Sequence, residues 1–175
     1  EGLGPEFILD AVESCTAYRL APLTNPLPSY INRVYELSTD DGEPLIVKFY
    51  RPGRWSKEAL IEEHRFILDC SERDIPVAPP LILDSGSTLA EYEGFMFTLF
   101  NKKGGRAFDA ETPEDWFRMG ALLGRIHGAG AAEDAEHRII ISPEHSLMHD
   151  TEFLLSSGLM HEVTRDKMRE VFAES

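Results

Sequence analysis

The amino-terminal hundred residues alternate apolar and polar side chains at short period, and the remainder repeats its apolar positions every three to four residues. Phe7 to Ser14 reads as a short leading helix and Thr16 to Pro22 as an extended run. Arg33 to Leu37 alternates, Asp40-Asp41-Gly42 supplies a turn, and Leu45 to Tyr50 runs extended again. Together these form an antiparallel hairpin pattern. Phe95 to Phe100 is a second β-rich run, entered through Glu91-Tyr92-Glu93-Gly94.

One helix interrupts this region. Ser56 is an N-cap residue, and Trp55 and Leu60 sit at the spacing of a hydrophobic staple. The helix should stop between Ser71 and Asp74, because Ile75 precedes Pro76 and is driven out of the α region. After Gly104-Gly105 the period becomes helical. Thr112-Pro113-Glu114-Asp115 starts a helix, Trp116, Met119, Leu123 and Ile126 form its stripe, and Gly128 stops it. Ser142-Pro143-Glu144 is a second start, and a last amphipathic segment runs from Leu159 to Phe172, its apolar face in need of a partner. The expected fold class is α+β, a β-rich lobe followed by a helical part. The boundary is placed between residues 1–101 and 102–175.

Composition narrows the function classes. The 175 residues hold 17 Lys plus Arg against 31 Asp plus Glu, a formal charge of −14 that argues against a nucleic-acid surface. Half of that imbalance falls in residues 111–175, with 6 basic and 13 acidic side chains. The basic group Arg51, Arg54 and Lys57 is answered by Glu58, Glu62 and Glu63. No apolar run approaches the roughly 20 residues a bilayer span requires. Cys15 and Cys70 are isolated, and Glu1 to Glu6 hold no signal-peptide core, so a cytoplasmic protein is expected.

Candidate chemistry begins at Lys48. Alternation puts Ile46, Lys48 and Tyr50 on one strand face and Leu45, Val47 and Phe49 on the other. Such a lysine either snorkels at an edge or grips phosphates as a point charge, and the second role needs a carboxylate to hold it. On the following helix Leu60, Glu63, Ile67 and Cys70 share a face, whereas Glu62 lies nearer Ala59 and Phe66. The stretch Thr24 to Tyr35 is no Walker loop. It is either a proline-rich surface turn or, through the backbone from Ser29 to Asn32, a phosphate-lining loop. His145 and His149 share an i, i+4 spacing, but Ser146 stands where H-E-x-x-H needs Glu, so no metal site is expected. His127 reads as a packed helix residue.

The strings Ser29 to Tyr35, Ile46-Val47-Lys48-Phe49-Tyr50-Arg51-Pro52, Arg54-Trp55 and Glu62-Glu63-His64 resemble one family. It is the stress-response-type Ser/Thr protein kinases of the aminoglycoside-phosphotransferase and choline-kinase superfamily. The likeness continues through Ile75 to Pro79, Gly104-Gly105-Arg106 and Leu123 to His127, and covers residues 5 to 130 well. It implies that Lys48 contacts the α- and β-phosphates of ATP and that Glu63 holds Lys48. It further implies that Ser29 to Asn32 form the phosphate-side loop and that Val34 and Ile46 pack on adenine. Leu99, Phe100 and Asn101 would lie in the hinge. The implied kinase-like fold is an antiparallel sheet of about five strands with one main helix, then a partial helical lobe.

That family's catalytic loop reads H-G-D-x-H-x-x-N, yet Asn occurs here only at 25, 32 and 101, and Asp134, Asp150 and Asp166 stand outside the motif. No residue of this chain is therefore expected to be catalytic or to ligate metal. ATP and Mg are expected of the complete kinase, with a protein Ser/Thr substrate. The resemblance implies the nucleotide-lobe half of a kinase, inactive as this chain. Two alternatives stand beside it. One is a kinase of the same fold for a choline, homoserine or aminoglycoside acceptor. The other is a non-catalytic docking module, with a dimer formed through an exposed helical face.

Overall fold

The computed structural model describes residues 2–105, 108–142, 151–158 and 160–173. Arg106, the start signal at Pro143-Glu144, the histidines at 145 and 149, Asp150 and Leu159 lie outside the described residues. The chain divides into two compact units, residues 1–137 and 138–175.

The first unit is built on a five-stranded antiparallel sheet: β1 (Asn25–Leu27), β2 (Arg33–Ser38), β3 (Pro44–Phe49), β4 (Ala90–Tyr92) and β5 (Phe95–Asn101). Their spatial order is β1-β2-β3-β5-β4. Helices α1 (Pro5–Cys15), α2 (Lys57–Glu72) and α3 (Pro113–Gly130) complete it. The β2–β3 hairpin closes where Gly42, at φ 85°, takes a left-handed conformation, and its amide donates to the Thr39 carbonyl. The β4–β5 turn needs two such residues in succession, Glu93 and Gly94.

The sheet buries different residues on its two faces. Leu37, Leu45, Val47, Phe49, Phe97 and Leu99 meet Ile8, Ala11 and Val12 of α1 in the main core. Phe7 of α1 adds edge-on aromatic contacts with Tyr92 and Phe95. On the other face Leu60 of α2 packs with Tyr50 and Leu89, and Trp55 joins them as the staple pattern predicts. Ser56 caps α2 by accepting from the Ala59 amide.

The structure alters three local expectations. Asn25–Leu27 is a strand rather than part of a turn; Pro26 is tolerated because β1 is the sheet edge, where no ladder donor is required of it. Glu91 and Tyr92 belong to a strand of their own, β4, rather than serving only as an entry. Within Thr16 to Pro22 only Leu20 makes a bridge, to Thr39.

Helix α3 begins at the predicted Thr112, in a capping box with Asp115, and runs two residues past Gly128. Its packed face keeps only Ile126 of the predicted stripe. Leu122, Ile126 and Ala129 pack against Cys70, Ile75 and Val77, while Trp116 is 62% and Leu123 51% exposed. This rotation also lets Arg125 Nη2 donate to the carbonyls of Arg73 (2.9 Å) and Asp74 (2.8 Å) at the end of α2. In the second unit, residues 151–156 are helical and the terminal helix is Glu162–Ala173.

Candidate functional site

Strand register decides which residues share the Lys48 face. Lys48 lies opposite Val34 on β2 and Thr98 on β5, and Ile46 lies opposite Phe100, so these side chains project to one side of the sheet. Val34, Ile46, Lys48 and Phe100 are all half-buried. Lys48 Nζ donates to Glu63 Oε1 at 2.8 Å, and the two side chains retain 22% and 24% exposure. The helix-face argument thus separates the two neighbouring glutamates correctly. Glu62 turns away and accepts from the amides of Glu136 (2.9 Å) and His137 (3.0 Å) and bonds His137 Nδ1 (2.8 Å). That bond holds the Glu62 carboxyl below its ordinary range and raises the His137 imidazole.

The remaining predicted residues fall in different places. Ser29 and Asn32 lie in the β1–β2 connection at the end of the sheet nearest Lys48. Ser29 is exposed, and Asn32 Oδ1 is buried without a hydrogen-bond partner. Leu99 is fully buried in the α1-side core, and its carbonyl accepts from the Leu81 amide at 2.8 Å. Asn101 ends β5, exposed. Just beyond it, Lys102 Nζ pairs with Glu36 (2.7 Å) and Lys103 Nζ donates to the Val77 carbonyl (2.6 Å), which stitch this segment to its neighbours.

A hydrogen-bonded group beneath Lys48 was not singled out by the residue pattern. The Tyr50 ring lies 4.5 Å from Lys48 Nζ. Its hydroxyl bonds His64 Nε2 at 2.7 Å, and His64 Nδ1 bonds Thr88 Oγ1 at 2.8 Å. His64 is 1% exposed, and burial pushes its pKa down to about 4, so the imidazole is neutral. Leu60 to His64 is an i, i+4 step along the buried face of α2, which is the one sequence signal that pointed to it. A cavity of about 780 Å³ lies elsewhere, against Tyr35, Phe49, Arg33 and Arg51, and includes neither Lys48 nor Glu63.

A strand lysine held by a helix glutamate is an arrangement that protein kinases also use. Residues 24–156 match the APH phosphotransferase enzyme family, and the chain belongs to that family. Stress response kinase A of Escherichia coli O157:H7 is 36% identical over 162 residues, covering 90% of this chain and 49% of that protein. Serine/threonine protein kinase RdoA of Salmonella typhimurium is 41% identical over 128 residues, 73% of this chain and 38% of that protein. The chain thus spans about half the length, or less, of the curated relatives it matches. Among solved structures, the amicoumacin kinase hAmiN in complex with AMP-PNP, Ca2+ and Ami aligns with a TM-score of 0.58 at 21% identity, over 81% of this chain and 50% of that one. The spectinomycin phosphotransferase APH(9)-Ia, in complex with ADP and spectinomycin, aligns with a TM-score of 0.62 at 10% identity, over 99% and 55%. These two likenesses carry the fold.

Proposed function

We propose that residues 1–101 are the ATP-binding lobe of a stress-response-type Ser/Thr protein kinase, and that residues 102–175 are its hinge and the first part of its helical lobe. The Lys48–Glu63 pair, beside the half-buried Val34 and Ile46, is the observation that carries this reading. Lys48 offers its ammonium to the α- and β-phosphates as a point charge, and Glu63 keeps it extended toward them. Val34 and Ile46, with Phe100 on the same face, present an apolar surface to the adenine ring. Ser29 to Asn32 border the phosphates and offer them backbone amides.

Backbone contacts to the adenine edge fall to Asn101 and the residues that follow, since the Leu99 carbonyl is already engaged and Phe100 lies between Ile46 and Pro80 in the sheet. ATP supplies the γ-phosphoryl group when bound. The chain holds no residue in the H-G-D-x-H-x-x-N context, so no catalytic or Mg-dependent step is assigned to it. The chain by itself binds ATP weakly at most and does not transfer phosphate. The protein acceptor is inferred from relatives named as stress response and serine/threonine kinases, and the compartment, cytoplasm, from two free cysteines.

Titration of ATP by calorimetry tests the reading. Saturable binding that Lys48→Ala weakens about tenfold or more supports it; binding equal in the two proteins refutes it. A second reading, a small-molecule acceptor, draws on the fold shared with the amicoumacin and spectinomycin enzymes. Screening protein against aminated small-molecule acceptors with the complete kinase separates the two.

A further inference from the structure

We infer that Tyr50, His64 and Thr88 form a buried seat that positions Lys48, which makes His64 and Tyr50 positioning residues of the nucleotide site. The inference rests on the reading of Lys48 as the phosphate contact. The connections form a nearly closed circuit. Lys48 Nζ sits 4.5 Å from the Tyr50 ring, Tyr50 OH bonds His64 Nε2 (2.7 Å), and His64 Nδ1 bonds Thr88 Oγ1 (2.8 Å). The Thr88 carbonyl in turn accepts from Thr98 Oγ1 (2.7 Å), and Thr98 lies directly opposite Lys48 across the β3–β5 ladder. The circuit leaves the strand at Lys48 and returns to the residue beside it.

The chemistry of each part suits that task. A lysine stem is flexible, and one carboxylate fixes only the distance to its ammonium, not its direction. An aromatic face beneath the ammonium adds a second attraction and excludes water from one side. The hydroxyl bond to His64 fixes where the tip of the ring lies, and packing of the buried ring against Leu60 and Leu89 holds its rotation. His64 has both ring nitrogens committed and is 1% exposed, so it is itself immobile. His64 also follows Glu63 directly, so the same turn of α2 supplies the carboxylate and the anchor of the ring.

The test measures Lys48 geometry without requiring nucleotide. The full 175-residue chain is acetylated with limiting acetic anhydride, and modification of Lys48 is read by mass spectrometry against exposed Lys57. ATP affinity and melting temperature are measured on the same samples. Tyr50→Leu, which removes the ring, is expected to raise relative Lys48 modification about fivefold and to weaken ATP binding by a similar factor. Tyr50→Phe and Thr88→Val keep the ring but break the chain of hydrogen bonds, and are expected to shift both readouts about two- to threefold in the same direction. Thr88→Val is decisive where a His64 variant does not fold.

Variants that melt earlier but leave Lys48 modification and ATP affinity at the wild-type value overturn the inference, because the group is then ordinary core packing. Absence of saturable ATP binding in the wild type, with Lys48 modification still rising in the variants, refutes the nucleotide reading and leaves the seat standing. The two failures are therefore distinct.

Discussion

His64 and His137 titrate in opposite senses, and each gives the protein a separate pH dependence. The His64 pKa falls from 6.5 to about 4 on burial, so between these values the unfolded chain binds more protons than the folded one. Its contribution is complete above pH 6.5 and is lost as the pH falls toward 4, worth about 3 kcal/mol over the whole window. Denaturant unfolding at pH 7 and pH 4.5 should show this loss, and His64→Gln should flatten it. His137 is raised by Glu62, so its contribution is present below its ordinary pKa and fades as the pH rises through the raised one. The protection factors of the Glu136 and His137 amides, corrected for the intrinsic pH dependence of exchange, should therefore be higher at pH 5.5 than at pH 8, and Glu62→Gln should erase the difference. The same two neighbours show what sequence makes legible at this scale. The choice of Glu63 over Glu62 as the partner of Lys48 rests on its distance to Ile75-Pro76-Val77 in the family resemblance, and the period of 3.6 on the helix agrees with it. Thr88 could not be found that way. It reaches His64 across 24 residues from an irregular segment, and no local period records such a contact.

Elements were legible where their ends carry chemistry. Ser56 and Thr112 both cap helices at the predicted residues, because a hydroxyl at the N-cap satisfies an amide that the helix leaves open. Ser56→Ala should cost about 1 kcal/mol by chemical denaturation. Rotation of a helix is a different matter. The apolar residues of α3 surround much of its circumference, and Leu122, Ile126 and Ala129 face α2, where Arg125 also makes tertiary hydrogen bonds. Leu123→Glu should accordingly change the stability of this chain by less than about 0.5 kcal/mol, whereas Leu60→Ala, in the fully buried α2 contact, should cost about 2–5 kcal/mol. Equal losses at the two positions would mean that α3 is rotated toward the stripe of Trp116, Met119 and Leu123. Strand β1 escaped notice because Pro26 reads as a turn residue, and only an edge position reconciles it with a ladder.

At the scale of the molecule, family membership and the Lys48–Glu63 geometry point the same way. The chain spans about half the length of the stress response kinases it matches, and it holds the sheet, the ion pair and the apolar face beside that pair. The net charge of −14 makes the local arrangement of cations matter, since an anionic nucleotide is repelled by most of this surface. Among the described residues no helix is long and apolar enough to cross a membrane. The central claim is that ATP binds on the sheet face of Lys48, and an amide and side-chain NMR titration of the chain with ATP tests it most directly. Saturable shifts at Ser29 to Asn32, Val34, Ile46, Lys48 and Asn101, absent in Lys48→Ala, are the predicted result. Shifts confined to Arg33, Tyr35, Phe49 and Arg51 on the cavity side, or shifts that survive Lys48→Ala unchanged, would contradict it.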